Sequence, residues 1–105
     1  GLYTSPHLIR FNERIRIGFT PATNGEVAGA YRKAAEAARE AAPLAGEPTF
    51  FETATAMAFE IFRQRGVEIA VVEVGMGGRL DAANAAGAVV SVITNIGLDH
   101  SAHLG

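Results

Sequence analysis

The chain is 105 residues long, 49% hydrophobic and 19% charged, with a formal net charge of -2. It holds one domain at most, and its composition excludes a disordered or membrane-embedded chain. Nine basic residues are offset by eleven acidic ones and form no stripe, so nucleic acid is not expected as a partner, and without cysteine there are no disulfides or thiolate metal sites.

At the N-terminus, "GLYTSPHLIR" lacks the charged, apolar and small-residue order of a signal peptide, and no apolar run reaches the roughly 20 residues of a bilayer span. Cytoplasm is therefore the expected compartment, with no membrane partner. The chain begins with Gly1 and closes on "SAHLG" in what reads as mid-loop, which suggests a fragment. "SPHLIRFNE" reads as a loop, and a short alternating strand follows from Arg14 to Ile17. "GFTPATNG" supplies turn chemistry up to Gly25. From Glu26 to about Ala42, alanine, glutamate and arginine predict a helix ended by Pro43, packing shallowly through a face made mostly of alanine.

"PTFFETATAMAFEIFRQRG" predicts a second helix with sharper ends. Thr49 is its cap, Glu52 completes a capping box, and Gly66 stops it. Phe51, Ala54, Ala58, Ile61 and Phe62 recur at helical spacing and form its buried face. Val67–Val74 and Ala88–Ile93 are nearly continuous apolar runs rich in β-branched residues, the pattern of strands covered on both faces. Helix, strand, glycine-rich loop and strand together predict an α/β fold with a parallel sheet. In such sheets ligands bind beyond the carboxyl ends of the strands, which would bring Glu73, Asp99 and His100 to one edge if the two strands are neighbours.

A carboxylate ending a buried strand is costly unless it is hydrogen-bonded, paired or bound to a cation. Taken alone, Glu73 favours a structural ion pair over a metal ligand, and His100 a hydrogen-bonded loop residue; His7 and His103 are weaker candidates. "GMGG" fits either a close approach to a ligand or positive φ in a tight turn. The charges of Arg10, Arg14 and Arg16 read as a solvated face. "TNGEVA" resembles the start of a phosphate loop but lacks the lysine and hydroxyl that grip phosphate and Mg²⁺; the single lysine, Lys33, sits in the alanine-rich helix.

Four blocks in order, "GLYTSPHLIRFNERIRI", "TFFETATAMAF", "VVEVGMGGRLDAAN" and "ITNIGLDHSAHLG", closely resemble the folylpolyglutamate synthase and dihydrofolate synthase family, relatives of the Mur ligases. Only Gly18–Glu47 lacks a pattern of that family. The resemblance implies that residues 1–105 are an incomplete part of a Mur-ligase-like central domain with a P-loop NTPase-like parallel sheet. It further implies an ATP-dependent ligase, monomeric as a whole, that phosphorylates the carboxylate of dihydropteroate or a folate and lets the amine of L-glutamate displace phosphate. Such chemistry is mainly charge neutralisation by cations and positioned donors.

Carried over residue by residue, the resemblance makes Glu73 and His100 the Mg²⁺ ligands. The hard cation's preference for oxygen would by itself have nominated Asp99 over His100. The pterin end of the substrate is implied to lie against Thr49, Phe50, Phe51 and Glu52 and against Leu80, Asp81 and Ala82. Aromatic stacking and carboxylate or backbone hydrogen bonds suit a heterocycle there, although the residues alone favour Phe50 and Phe51 as core and Glu52 as a cap. "SPHL" resembles a mobile loop at the substrate entrance, adding Ser5, His7 and Arg14 as contacts. The family's P-loop, a downstream carbamylated lysine and a C-terminal domain lie outside these residues, and its usual "DATN" reads "DAAN" here, with Ala83 in place of threonine. Two other functions compete: a Mur-type ligase of cell-wall synthesis, against which "SPHL" and "TFFE" argue, and a non-catalytic module keeping the central-domain fold.

Overall fold

The computed structural model describes residues 1–95 and residue 97, so Asp99, His100 and His103 lie outside the described residues. Four short strands form one mixed sheet: β1 (Leu2–Tyr3), β2 (Ile15–Ile17), β3 (Thr20–Pro21) and β4 (Val71–Val72), in the order β3-β2-β1-β4. The expected all-parallel sheet is met only between β1 and β4, where Leu2 faces Val71 and Tyr3 faces Val72; β1·β2 and β2·β3 are antiparallel. Two tight returns force this arrangement. A 3-10 turn at Phe11–Arg14 brings the chain back beside β1, and Gly18, at φ 61°, then turns it into β3, where Pro21 is tolerated on an edge.

Helix α1 spans Asn24–Ala45 and helix α2 spans Phe50–Gln64. Both open with the same device. The Thr23 hydroxyl accepts the Glu26 N–H at 3.2 Å while the Glu26 carboxylate accepts the Thr23 N–H at 2.7 Å, and Thr49 and Glu52 repeat the pair at 3.2 and 2.7 Å. Helix α1 therefore starts two residues before the expected Glu26. It also runs past Pro43, the expected stop. Proline deprives the Arg39 carbonyl of its helical donor, but Arg39 and Pro43 are exposed, so water can serve that carbonyl, and the helix ends only at Gly46 (φ 75°).

The core lies where α2 crosses the sheet. Tyr3, Ile15, Ala58 and Ile61 are fully buried there, and α1 contributes only Ala30 as a buried residue, consistent with its alanine face. Of the expected α2 face, Ala54, Ala58, Ile61 and Phe62 are buried and Phe51 partly so.

The two apolar runs depart most from expectation. Only Val71–Val72 of the first pairs as a strand, and Ala88–Ile93 forms none. Both are largely uncovered: Val71 is 63% exposed, Val92 80% and Val89 100%. A continuous apolar run becomes a buried strand only when neighbouring strands and helices cover it, and among the described residues of these two runs only Val67 and Val72 pack against the core.

Candidate functional site

Past β4, the Glu73 N–H donates to the Tyr3 carbonyl at 2.9 Å, prolonging the parallel pairing by one bond. Its side chain then turns to the loop after β1, where carboxylate Oε2 accepts the Ser5 N–H at 2.8 Å. Glu73 is exposed, and its partner is a backbone N–H; the ion pair expected for it is not formed among the described residues. The other oxygen has no hydrogen-bond partner among the described residues. Mg²⁺ is commonly held through one or two carboxylates, with waters and substrate phosphates completing an octahedron, so an accessible, oriented carboxylate of this kind fits that ion. No group of three or more His, Cys, Asp or Glu side chains suited to a metal exists among the described residues, so Glu73 could be only one ligand of several.

The loop after Glu73 is set by two constraints. A Cβ on Gly75 would lie 2.6 Å from the Phe51 ring, so the "EVG" glycine makes room for an aromatic residue of α2. Gly77 and Gly78 take φ of 68° and 93°, the turn-forming reading of "GMGG". Asp81 closes the loop. Its Oδ2 accepts the N–H groups of Gly75 and Met76 at 3.0 and 2.9 Å, and its Oδ1 accepts the Ala83 N–H at 2.8 Å, capping the 3-10 turn Ala82–Ala86. Asn84, which sequence reasoning passed over, donates to the Gly78 and Arg79 carbonyls. Two Asx residues, Asp81 and Asn84, closely following a glycine-rich turn were the available signal.

The candidate substrate residues divide into two groups. Thr49, Glu52 and Asp81 spend polar atoms on backbone groups, and the Glu52 carboxyl is held below the ordinary carboxylate value first by the Thr49 N–H and then by the Thr49 hydroxyl. Phe51 packs on Tyr3 at 6.0 Å between ring centroids. Phe50 and Leu80 point outward, 63% and 95% exposed, while Ala82 is half-buried at the base of the loop.

The entrance loop gives a different result from the expected solvated face. Arg14 is only 7% exposed; its Nε donates to His7 Nδ1 at 2.8 Å, and its guanidinium carbon lies 5.2 Å from the Phe50 ring centroid and 5.9 Å from that of Phe11. Tyr3, fully buried below, has its hydroxyl pushed up in pKa mainly by burial, and that hydroxyl accepts a hydrogen bond from Thr55 at 3.2 Å. One local assembly thus joins Tyr3, Phe51, Gly75 and Asp81, and another joins His7, Phe11, Arg14 and Phe50. Ser5 and Glu73 meet beside them. Whether His100 joins Glu73 lies outside the described residues.

The geometry defines a small α/β protein whose mixed sheet carries, after β4, an oriented acid and a braced glycine-rich loop. Over its whole length the chain is 46% identical to the "Probable bifunctional folylpolyglutamate synthase/dihydropteroate synthase" of Haloferax volcanii, 44% to the folylpolyglutamate synthase of Lacticaseibacillus casei and 40% to the dihydrofolate synthase/folylpolyglutamate synthase of Escherichia coli K12. The chain belongs to the folylpolyglutamate synthase/dihydrofolate synthase family. It spans 12%, 25% and 24% of the lengths of those three relatives. No protein-family model and no solved structure matches it.

Proposed function

We propose that residues 1–105 form part of the central domain of an ATP-dependent amide ligase that joins L-glutamate to dihydropteroate or a folate. The parent sheet is Mur-ligase-like and P-loop NTPase-like, with further parallel strands beside β4, and the parent enzyme is a cytoplasmic monomer. The observation that carries the reading is the full-length identity to synthases of those names. The accessible Glu73 carboxylate at the end of the parallel strand supports it.

In this reading Glu73 and His100 hold Mg²⁺, which when bound neutralises charge on the transferring phosphoryl group. The Ser5 N–H fixes Glu73 in the orientation this needs and ties the entrance loop to the same place. The acceptor carboxylate attacks the γ-phosphorus of ATP and ADP leaves; the glutamate amine then attacks the acyl carbon, and phosphate departs as the nitrogen loses its proton. Around the pterin, Phe50 offers the accessible ring for stacking, Thr49, Phe51 and Glu52 frame that end of α2, and Leu80, Asp81 and Ala82 present the braced loop. Because the Asp81 oxygens already hold three N–H groups, the loop contributes through its backbone and through Leu80 more than through the Asp81 charge.

The test is to incubate the intact protein with ATP, Mg²⁺, L-glutamate and either dihydropteroate or tetrahydrofolate, following ADP and the glutamylated product together. One ADP per amide formed, with neither produced when the pteridine is omitted, is the expected result. ATP turnover indifferent to both pteridines, or no amide with either, overturns the reading.

A further inference from the structure

Residues 5–10 form neither helix nor strand, and Leu8 and Ile9 stand in the open, 92% and 84% exposed. With no apolar packing to shape it, such a loop keeps one conformation only if its backbone N–H groups have fixed partners. Three successive ones share a single partner. The Glu13 carboxylate accepts the Leu8 N–H through Oε2 at 2.9 Å and the Arg10 N–H through Oε1 at 2.8 Å, and the Ile9 N–H between them donates to Oε1 at 3.2 Å. Successive N–H groups turned to one side make a concavity for an anion, and here the anion belongs to the same chain. These bonds hold the Glu13 carboxyl below the ordinary carboxylate value, the Leu8 N–H first and the Arg10 N–H next. Glu13 is itself anchored: its N–H donates to the Arg10 carbonyl at 3.0 Å, and its carbonyl accepts Arg16 Nε, from β2, at 3.2 Å. The other limb of the loop ends on Glu73, through the Ser5 N–H.

We propose that Glu13 is a positioning residue for acceptor binding. By gathering the three N–H groups it fixes the far limb of the entrance loop against β2, and the near limb then meets Glu73 at a set place. Glu13 does this with its charge and both oxygens, and it takes no part in phosphoryl or acyl transfer. The inference rests on the reading above, which puts this loop at the substrate entrance, and deepens it by naming what holds the loop in shape.

The test compares the intact protein with Glu13→Gln, which keeps the shape but replaces one acceptor oxygen by an NH₂ group turned toward N–H donors. Glu40→Gln, on the exposed side of α1, makes the same change of charge as a control. Hydrogen exchange of the segment holding Leu8, Ile9 and Arg10, without nucleotide or pteridine, should be about tenfold faster in Glu13→Gln, as for loss of a hydrogen bond to a charged group. The KM for the pteridine should rise at least about fivefold, while kcat and the KM for ATP stay within about twofold; Glu40→Gln should alter none of these. Unchanged exchange overturns the bracing, and faster exchange with an unchanged pteridine KM overturns the positioning role. A fall in kcat together with a rise in both KM values overturns it too, since that is the pattern of general destabilisation. Should Glu13→Gln fail to fold, Glu13→Ala, which removes the acceptor without adding a donor, is read against the same outcomes. Failure of the ligase reading shows instead in the unsubstituted protein, as absence of amide formation, and would overturn the role in acceptor binding while the exchange comparison still decides the bracing.

Discussion

The region from Leu2 to Val67 and the region from Glu68 to Thr94 are both rich in apolar residues but package them differently. In the first, two capped helices lie against a three-stranded meander and bury Tyr3, Ile15, Ala58 and Ile61 completely. In the second, valines and isoleucines of strand character stand in the open, with Ile69 79%, Val90 76% and Ile93 79% exposed. A helix with a capping box makes its own hydrogen bonds and needs one neighbour for its apolar face. A strand intended to be covered on both faces needs neighbours for every backbone group and for both faces. The glycine-rich loop between the two apolar runs holds its shape without such cover because Asp81 and Asn84 tie it locally.

The comparison breaks most sharply by truncation. Ile61→Ala should cost about 2–5 kcal/mol in denaturant unfolding, as a fully buried side chain crossing the sheet, whereas Val92→Ala should stay within about 0.5 kcal/mol. Similar losses at the two positions would mean that the second region is covered in solution. Gly75→Ala comes next. Its Cβ would meet the Phe51 ring at 2.6 Å, so a loss of about 1–3 kcal/mol is expected, with part of it recovered by adding Phe51→Leu; additive losses would show that the ring is not what excludes the methyl group.

Smaller effects sharpen the account of the caps. Thr49→Ala and Thr23→Ala remove equivalent bonds and should each lower stability by about 0.5–2 kcal/mol. A pH series supplies the finest test. The Thr23 N–H, then the Thr23 hydroxyl and Arg65, lower the Glu26 carboxyl from 4.5 to about 2. A depressed folded-state pKa gives stabilisation that is present above 4.5 and lost as pH falls toward 2. The difference in thermal midpoint between the natural chain and Glu26→Gln should therefore shrink across that window, and a difference unchanged at low pH would show that the carboxylate is not the source.

The same contrast explains what the sequence made legible. Helix α2 was readable from Thr49 to Gly66 because cap, period and stop are local signals. The start of α1 was placed two residues late, because the glycine and asparagine of "TNGE" look like a turn when taken one at a time although the four residues form a capping box. Of the meander only β2 was readable, the strand expected at Arg14–Ile17 and found at Ile15–Ile17; β1 and β3 are two residues each, too short for any period. At the site, the acid after β4 and the glycine-rich turn stood out in the sequence. The burial of Arg14 did not, because an arginine in a charged stretch gives no local sign of the two aromatic rings that fold over it.

Central to the proposed function is the role it gives Glu73, an oriented acid that would serve the metal. The most direct measurement is the Mg²⁺ dependence of amide formation by the intact protein carrying Glu73→Gln, which keeps the shape and removes the charge. The account predicts a large loss of rate that neither added Mg²⁺ nor Mn²⁺ restores, with the thermal midpoint nearly unchanged because the Ser5 N–H can still donate to the amide oxygen. An unaltered rate and an unaltered Mg²⁺ dependence would contradict it.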